Sequence, residues 1–196
     1  FLNMEQLTPD DDLYYATIAH ELVHLIQLNL DPNEEIWLDE GLGQLAELVL
    51  GYDTAETLDY VNNPQTSLTG WGYDEAVVYD HYAASFLFAA YLWEQLGDDA
   101  IRDLMLMPEN GLNGVRRLLA VYRPQTTLEQ FLGEWAVANL LDDPDGDPRY
   151  GYRTLDPLLP EKVVRIRRAP YDTVNTLAQF GVDYSDLRAT GTLTVT

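Results

Sequence analysis

The chain has 196 residues, of which 46% are hydrophobic, so it is long enough to bury a substantial core and is not a disordered polymer. Its formal net charge is −22 at pH 7, and so anionic a surface disfavours binding to nucleic acid or to anionic membranes. The absence of cysteine excludes disulfides and thiolate metal sites, and no long apolar run predicts insertion into a membrane.

The first predicted helix runs from about residue 8 to residue 28. Thr8 is its expected N-cap, Pro9 suits the first turn, and Pro32 follows its end. The chain starts at Phe1 without a signal peptide, so we expect a processed product or a fragment of a longer protein.

Two histidines in this helix stand four residues apart, at His20 and His24, and therefore project from one face about a turn apart. Two imidazoles at that spacing can reach one metal ion, while Glu21 is offset enough to address a water molecule there. This is the H-E-x-x-H pattern of zinc hydrolases. The alternative is a core helix with two hydrogen-bonded histidines.

A second helix is predicted over residues 34–50, and it carries Glu40 sixteen residues after His24. Because a catalytic zinc takes three protein ligands, Glu40 is the candidate third ligand; the alternative is an acidic residue favoured by the helix dipole. Glu47 returns to the same face and is expected to accept the free N–H of a zinc histidine, or else to be solvated. Gly41 and Gly43 predict close approach to the first helix.

A long loop is predicted over residues 51–73, followed by a third helix over residues 74–96. The middle of that helix is so apolar that it must be buried. Near its start lie Tyr79, His81 and Tyr82, and at most two of these three side chains can point in one direction.

Shorter helices are predicted over residues 98–105 and 113–122. Thr126 and Glu129 form a candidate capping box that opens a helix ending near residue 141. The fold class is therefore mainly α, and residues 1–142 are expected to form one domain.

The acidic tract that follows predicts a boundary, and residues 143–196 are expected to be a linker and a short β segment at the C-terminus. Two alternatives stay open for this segment: it packs on the helical domain, or it begins a truncated β domain. The spacing of Asp143, Asp145 and Asp147 also permits a Ca²⁺ site, although a plain linker is favoured because the distal Glu of a calcium loop is lacking.

Alternating residues predict strands over residues 163–168 and 191–196. Arg165, Arg167 and Arg168 form the basic cluster of the chain, and we interpret them as internal charge partners rather than a nucleic-acid surface.

The two zinc-site motifs and the third helix together resemble the gluzincin zinc metallopeptidases, most of all the hyicolysin family and the related immune-inhibitor-A-like secreted bacterial peptidases. The resemblance covers most of residues 8–142. Asp39 departs from it, because these families commonly have Asn there. The residues that carry the resemblance are His20-Glu21-x-x-His24, Trp37-Leu38-Asp39-Glu40-Gly41, Glu47, Tyr82 to Phe88 and Tyr91 to Gly97.

The resemblance implies a zincin-like helical catalytic subdomain and a secreted enzyme that hydrolyses protein or peptide substrates. It implies one Zn²⁺ ion bound by His20, His24 and Glu40, with Glu21 as general base. In gluzincins a Tyr or His stabilises the oxyanion, and by position Tyr82 matches best, with His81 in reserve. A mixed sheet precedes the zinc helix in that clan, so we expect most of it to be missing from this chain.

The expected function is therefore that of a zinc-dependent endopeptidase. Two alternatives stay open: an aminopeptidase of the same clan, and a non-catalytic interaction module whose zinc is structural. In the second case His81, the only other histidine, would complete a closed four-ligand site. The oligomeric state is not predicted.

Overall fold

The computed structural model of the chain describes residues 8–9, 11–52, 57–74, 76–158, 163–167, 174 and 176–188. This part of the chain is mainly helical, as predicted, and none of its helices is long and apolar enough to cross a membrane. Its elements are α1 (Asp12–Leu30), α2 (Ile36–Val49), α3 (Thr57–Asn62), α4 (Val78–Leu96), α5 (Asp98–Met105), α6 (Gly111–Tyr122), α7 (Leu128–Leu141), β1 (Val164–Ile166) and β2 (Ser185–Leu187).

Helix α4 lies at the centre of the core, as its composition predicts, and every side chain from Ala83 to Leu92 is buried. Phe88 packs against Trp37 of α2 and against Phe131 and Trp135 of α7. Helices α2 and α7 both bury aromatic side chains against α4, and this packing holds α2 in position. The face of α2 that points away from α4 is the face that contacts α1.

Helix α1 is helical as predicted, but apart from Val23, which packs against the core, most of its bulky apolar side chains lie outside it. Ala16 and Ala19 are buried, whereas Ile18, Leu22 and Leu25 are 37%, 51% and 64% exposed. The small side chains let α1 approach α2 closely, and the large ones lie on the outer face.

Several predicted helix ends were wrong by one to four residues. Asp11, rather than Thr8, caps α1 by accepting a hydrogen bond from the Leu13 amide. The capping box of α7 pairs Thr127 with Gln130, because the Thr127 side chain accepts from the Gln130 amide and the Gln130 side chain accepts from the Thr127 amide. Thr126 with Glu129 and Thr127 with Gln130 both match the capping-box pattern. Thr126 belongs to the preceding turn, where its amide donates to the Arg123 carbonyl oxygen, so the helix begins after Thr127.

The predicted loop 51–73 was wrong in part, since α3 lies within it. Tyr60 and Val61 of α3 are buried, and the Tyr60 ring stacks on Trp135 at 5.5 Å between ring centroids. Burial of these side chains stabilises a six-residue helix that its own propensity would not maintain.

The core continues beyond the acidic tract at residues 142–148. Tyr152 and Leu158 are buried in the same cluster as α4, and Asp142 accepts hydrogen bonds from both of their amides. In the C-terminal part, β1 confirms a strand within 163–168, and it pairs in parallel with β2, which the sequence did not predict. The predicted strand 191–196 and Arg168 lie outside the described residues.

Candidate metal centre

Helices α1 and α2 bring three of the predicted site residues together. One ligand atom each of His20, His24 and Glu40 lies within 4.8 Å of the other two. The Glu40 Oε2 atom is 3.2 Å from His20 Nε2 and 3.6 Å from His24 Nε2. Both imidazoles therefore direct the same ring nitrogen at one carboxylate, although Glu40 is on a different helix.

His20 is held from both sides. Its Nδ1 atom lies 2.7 Å from Glu47 Oε1, two turns along α2 from Glu40. Burial lowers the pKa of His20, but the hydrogen bonds to Glu40 and Glu47 outweigh burial and raise that pKa to about 9. A proton on Nδ1 bound to Glu47 leaves Nε2 as the nitrogen that faces the other two side chains.

His24 has a carboxylate partner that the sequence reasoning missed. Asp39 Oδ2 lies 3.1 Å from His24 Nδ1, although this nitrogen makes no well-aligned hydrogen bond, so the contact is best described as an ion pair. Asp39 and then Glu40 raise the pKa of His24 to about 10. Burial acts to raise the pKa of Glu40, but the two histidines hold it down at about 2. Asp39 could have been considered from the sequence, because it directly precedes Glu40 in the second motif.

These residues fit a zinc ion. Two neutral imidazole nitrogens and one carboxylate are a known catalytic zinc set, and each imidazole has a carboxylate behind its other nitrogen. The backbone leaves room for the His20 ring, since a Cβ atom on Gly43 would lie 2.8 Å from His20 Cε1 and 2.9 Å from Nε2. A side chain larger than that of glycine would occupy the position of the ring. The predicted close approach to α1 is therefore confirmed for Gly43.

Gly41 makes a different contact from the one predicted. A Cβ atom there would lie 2.6 Å from the carbonyl oxygen of Ser85, so this glycine allows α2 to cross α4 rather than α1. The two glycines thus face two partners, and α2 lies between the core helix and the histidine helix.

The predicted oxyanion residues lie near the start of α4. The partly buried Tyr82 ring packs edge-on against Trp71 at 4.9 Å between centroids, one turn of helix before Ser85. His81 is buried, and its Nδ1 atom lies 3.2 Å from the carbonyl oxygen of Ser67. His81 is not part of the group formed by His20, His24 and Glu40. Tyr79 is 56% exposed.

Glu21 is partly buried on α1, directly after His20. Its place on the helix wheel differs by about 100° from that of His20, which sets it beside the two imidazoles rather than between them.

The aspartates considered for Ca²⁺ are used in other contacts. Asp143 accepts a hydrogen bond from the Gly146 amide, Asp147 binds Arg149 at 2.7 Å, and Asp145 lies 3.4 Å from Arg153. Among the described residues, these three do not form a converging carboxylate group.

A surface cavity of about 630 Å³ lies between the loop after α3 and the two strands, and none of the predicted site residues line it. A smaller apolar cavity of about 330 Å³ lies beside the candidate centre, between α1, α2 and α5, but its lining does not include His20, His24 or Glu40. The geometry of the ligand set, and not the size of a cavity, therefore identifies the candidate centre.

Comparison of the sequence with models of known protein families and with curated proteins found no match. The family resemblance therefore depends on the motif residues alone, and any proposal about function has to be argued from the geometry described above.

Proposed function

We propose that this chain is a zinc-dependent endopeptidase. The observation that carries the proposal is the convergence of one ligand atom each of His20, His24 and Glu40 within 4.8 Å, with Glu21 next to the first histidine. The spacing in the sequence is enough to place the two histidines on one face of α1. Glu40 lies on α2, so its position beside them depends on how the two helices pack.

Three protein ligands favour a catalytic role over a structural one. Structural zinc sites are closed by four protein ligands, whereas catalytic sites keep one position open. Among the described residues no fourth His, Asp or Glu joins the group, and the buried His81 is held by Ser67 instead. The side chains of His24 and Asp39 are 23% and 29% exposed, so a substrate can approach from that side.

The chemistry is divided among the side chains as follows. A Zn²⁺ ion in such a site supplies Lewis acidity, which polarises carbonyl oxygens and makes water more acidic. Glu21 accepts a proton from the attacking water as its oxygen bonds to the scissile carbon, and then gives a proton to the leaving amine as the C–N bond breaks. Glu47 and Asp39 orient His20 and His24.

Tyr82 is the proposed donor to the oxyanion. A phenolic O–H aimed at the developing negative charge stabilises the tetrahedral intermediate. His81 is the weaker candidate, because its ring is buried and one of its nitrogens is already bound to the Ser67 carbonyl.

The test is Glu21→Gln, assayed with zinc-loaded protein on casein and on peptides blocked at both ends. We expect full zinc content and a loss of turnover of at least about 100-fold, the usual contribution of a general base. Undiminished hydrolysis by the variant would exclude this role for Glu21. Cleavage of blocked peptides distinguishes an endopeptidase from an aminopeptidase, which requires a free amino terminus.

A further inference from the structure

The candidate metal centre lies in a half of the chain that contains no positively charged Lys or Arg side chain. All 11 Lys and Arg residues follow residue 101, whereas 20 of the 33 acidic residues precede it. Helices α1, α2, α3 and α4 therefore contain acidic residues and histidines but no Lys or Arg.

Six of the nine described arginines form ion pairs, and these pairs do not involve the carboxylates of α1 and α2. Each of the ion pairs they form joins a carboxylate outside α1 and α2, as in the pairs of Arg102 with Asp99, Arg123 with Glu134, Arg149 with Asp147, Arg153 with Asp145, and Arg188 with Asp186. Asp39, Glu40 and Glu47 form ion pairs with His20 and His24.

A bound divalent cation would not cancel this charge. The histidines must be neutral to bind a metal, so they no longer compensate their carboxylate partners. The four carboxylates of Glu21, Asp39, Glu40 and Glu47 outweigh the two charges of Zn²⁺. Asp39 contributes one of them at a position where an asparagine would keep the size and the oxygen acceptor but not the charge.

We infer that the site selects cationic polypeptides, with Lys or Arg side chains near the scissile bond, and that Asp39 is a specificity-determining residue. The inference depends on the proposed function, because the site is defined by His20, His24 and Glu40 and not by its acidic surroundings. A surface of one sign raises the local concentration of oppositely charged ligands and speeds their association.

The experiment compares three internally quenched peptides of one apolar sequence, blocked at both ends, in which two positions are Lys, Gln or Glu. With zinc-loaded wild-type chain we expect kcat/KM to be at least about tenfold higher for the Lys peptide than for the Glu peptide at low salt, with the Gln peptide between them. The ratio should fall as ionic strength rises, because the site is partly exposed and is screened by salt.

Two variants with the same change of charge locate the effect. Asp39→Asn should reduce the Lys-to-Glu ratio several-fold, whereas Asp145→Asn, on a 93% exposed side chain of the acidic tract, should leave it unchanged. Peptide binding can be measured without hydrolysis by using the Glu21→Gln chain. Fluorescence anisotropy should give a lower Kd for a labelled Lys peptide than for the labelled Glu peptide.

The outcomes separate this inference from the proposed function. Hydrolysis of the Lys and Glu peptides with equal kcat/KM, or a preference that neither salt nor Asp39→Asn reduces, would overturn the inference and leave the peptidase intact. Absence of hydrolysis of all three peptides by the zinc-loaded chain would overturn the proposed function.

Discussion

The space left by Gly43 gives the sharpest test of the metal centre. In Gly43→Ala, the new Cβ atom would lie 2.8–3.0 Å from three atoms of the His20 ring, closer than packed carbon atoms approach. The ring must shift by about 0.5 Å or more to reach ordinary contact distance, and metal sites tolerate only about 0.2 Å in ligand distance. We therefore expect zinc affinity to fall by about 10- to 100-fold, as when a ligand loses its orienting partner.

The same substitution should have little effect on folding. Alanine in place of glycine within a helix contributes up to about 1 kcal/mol of stability. Disturbing the His20–Glu47 hydrogen bond costs about the same amount, so the two effects nearly offset each other in the metal-free chain. A large loss of zinc affinity with a small change in unfolding free energy distinguishes a displaced ligand from a damaged fold.

The assay is competition for zinc against a chromophoric chelator, together with urea unfolding of the metal-free chain. Gly133→Ala is the matched control, because Gly133 is also within a helix and a Cβ atom there would meet nothing within 4 Å. The Gly133→Ala chain should be up to about 1 kcal/mol more stable to unfolding and should keep wild-type zinc affinity. If Gly43→Ala bound zinc as tightly as Gly133→Ala, then His20 would not be a ligand in the orientation described.

Three further predictions follow from the same contacts. Glu47→Ala removes the acceptor 2.7 Å from His20 Nδ1, so zinc affinity should fall about tenfold or more, with Glu47→Gln intermediate, as measured by the same competition. Zinc at 100 times its Kd should stabilise the wild-type chain against thermal unfolding by about 2.7 kcal/mol. Glu40→Gln removes the charged ligand and should abolish most of that stabilisation. Equal stabilisation of both proteins by zinc would exclude Glu40 as a ligand. Phe88→Ala opens a cavity among Trp37, Phe131 and Trp135 and should cost about 3–5 kcal/mol in urea unfolding without changing the zinc content of the protein that stays folded.

The helices could be predicted from the sequence because their signals are local. The apolar run from Ala83 to Leu92 has no polar face, so it had to be buried, and the structure confirms this. The ends were less predictable, since Thr126 and Thr127 are both capable caps. The choice between them depends on the turn that leads from α6 into α7, which propensity does not encode.

The periodicity of α1 did not show which of its faces is inside. Ile18, Leu22 and Leu25 give the helix an apolar stripe, yet the face that packs on α2 is the one with Ala16, Ala19 and the two histidines. An apolar stripe predicts that a helix has a preferred face, but the fit of neighbouring helices decides which face they contact.

The sequence by itself determined that His20 and His24 share a face, because four residues on a helix span little more than one turn. It also supplied Glu40 and Glu47 on one face of α2. Only the tertiary structure decided that both carboxylates meet His20, that Asp39 lies against His24, and that His81 does not join them. These are contacts between helices, and they depend on how closely the backbones cross, which Gly43 permits on one side of α2 and Gly41 on the other.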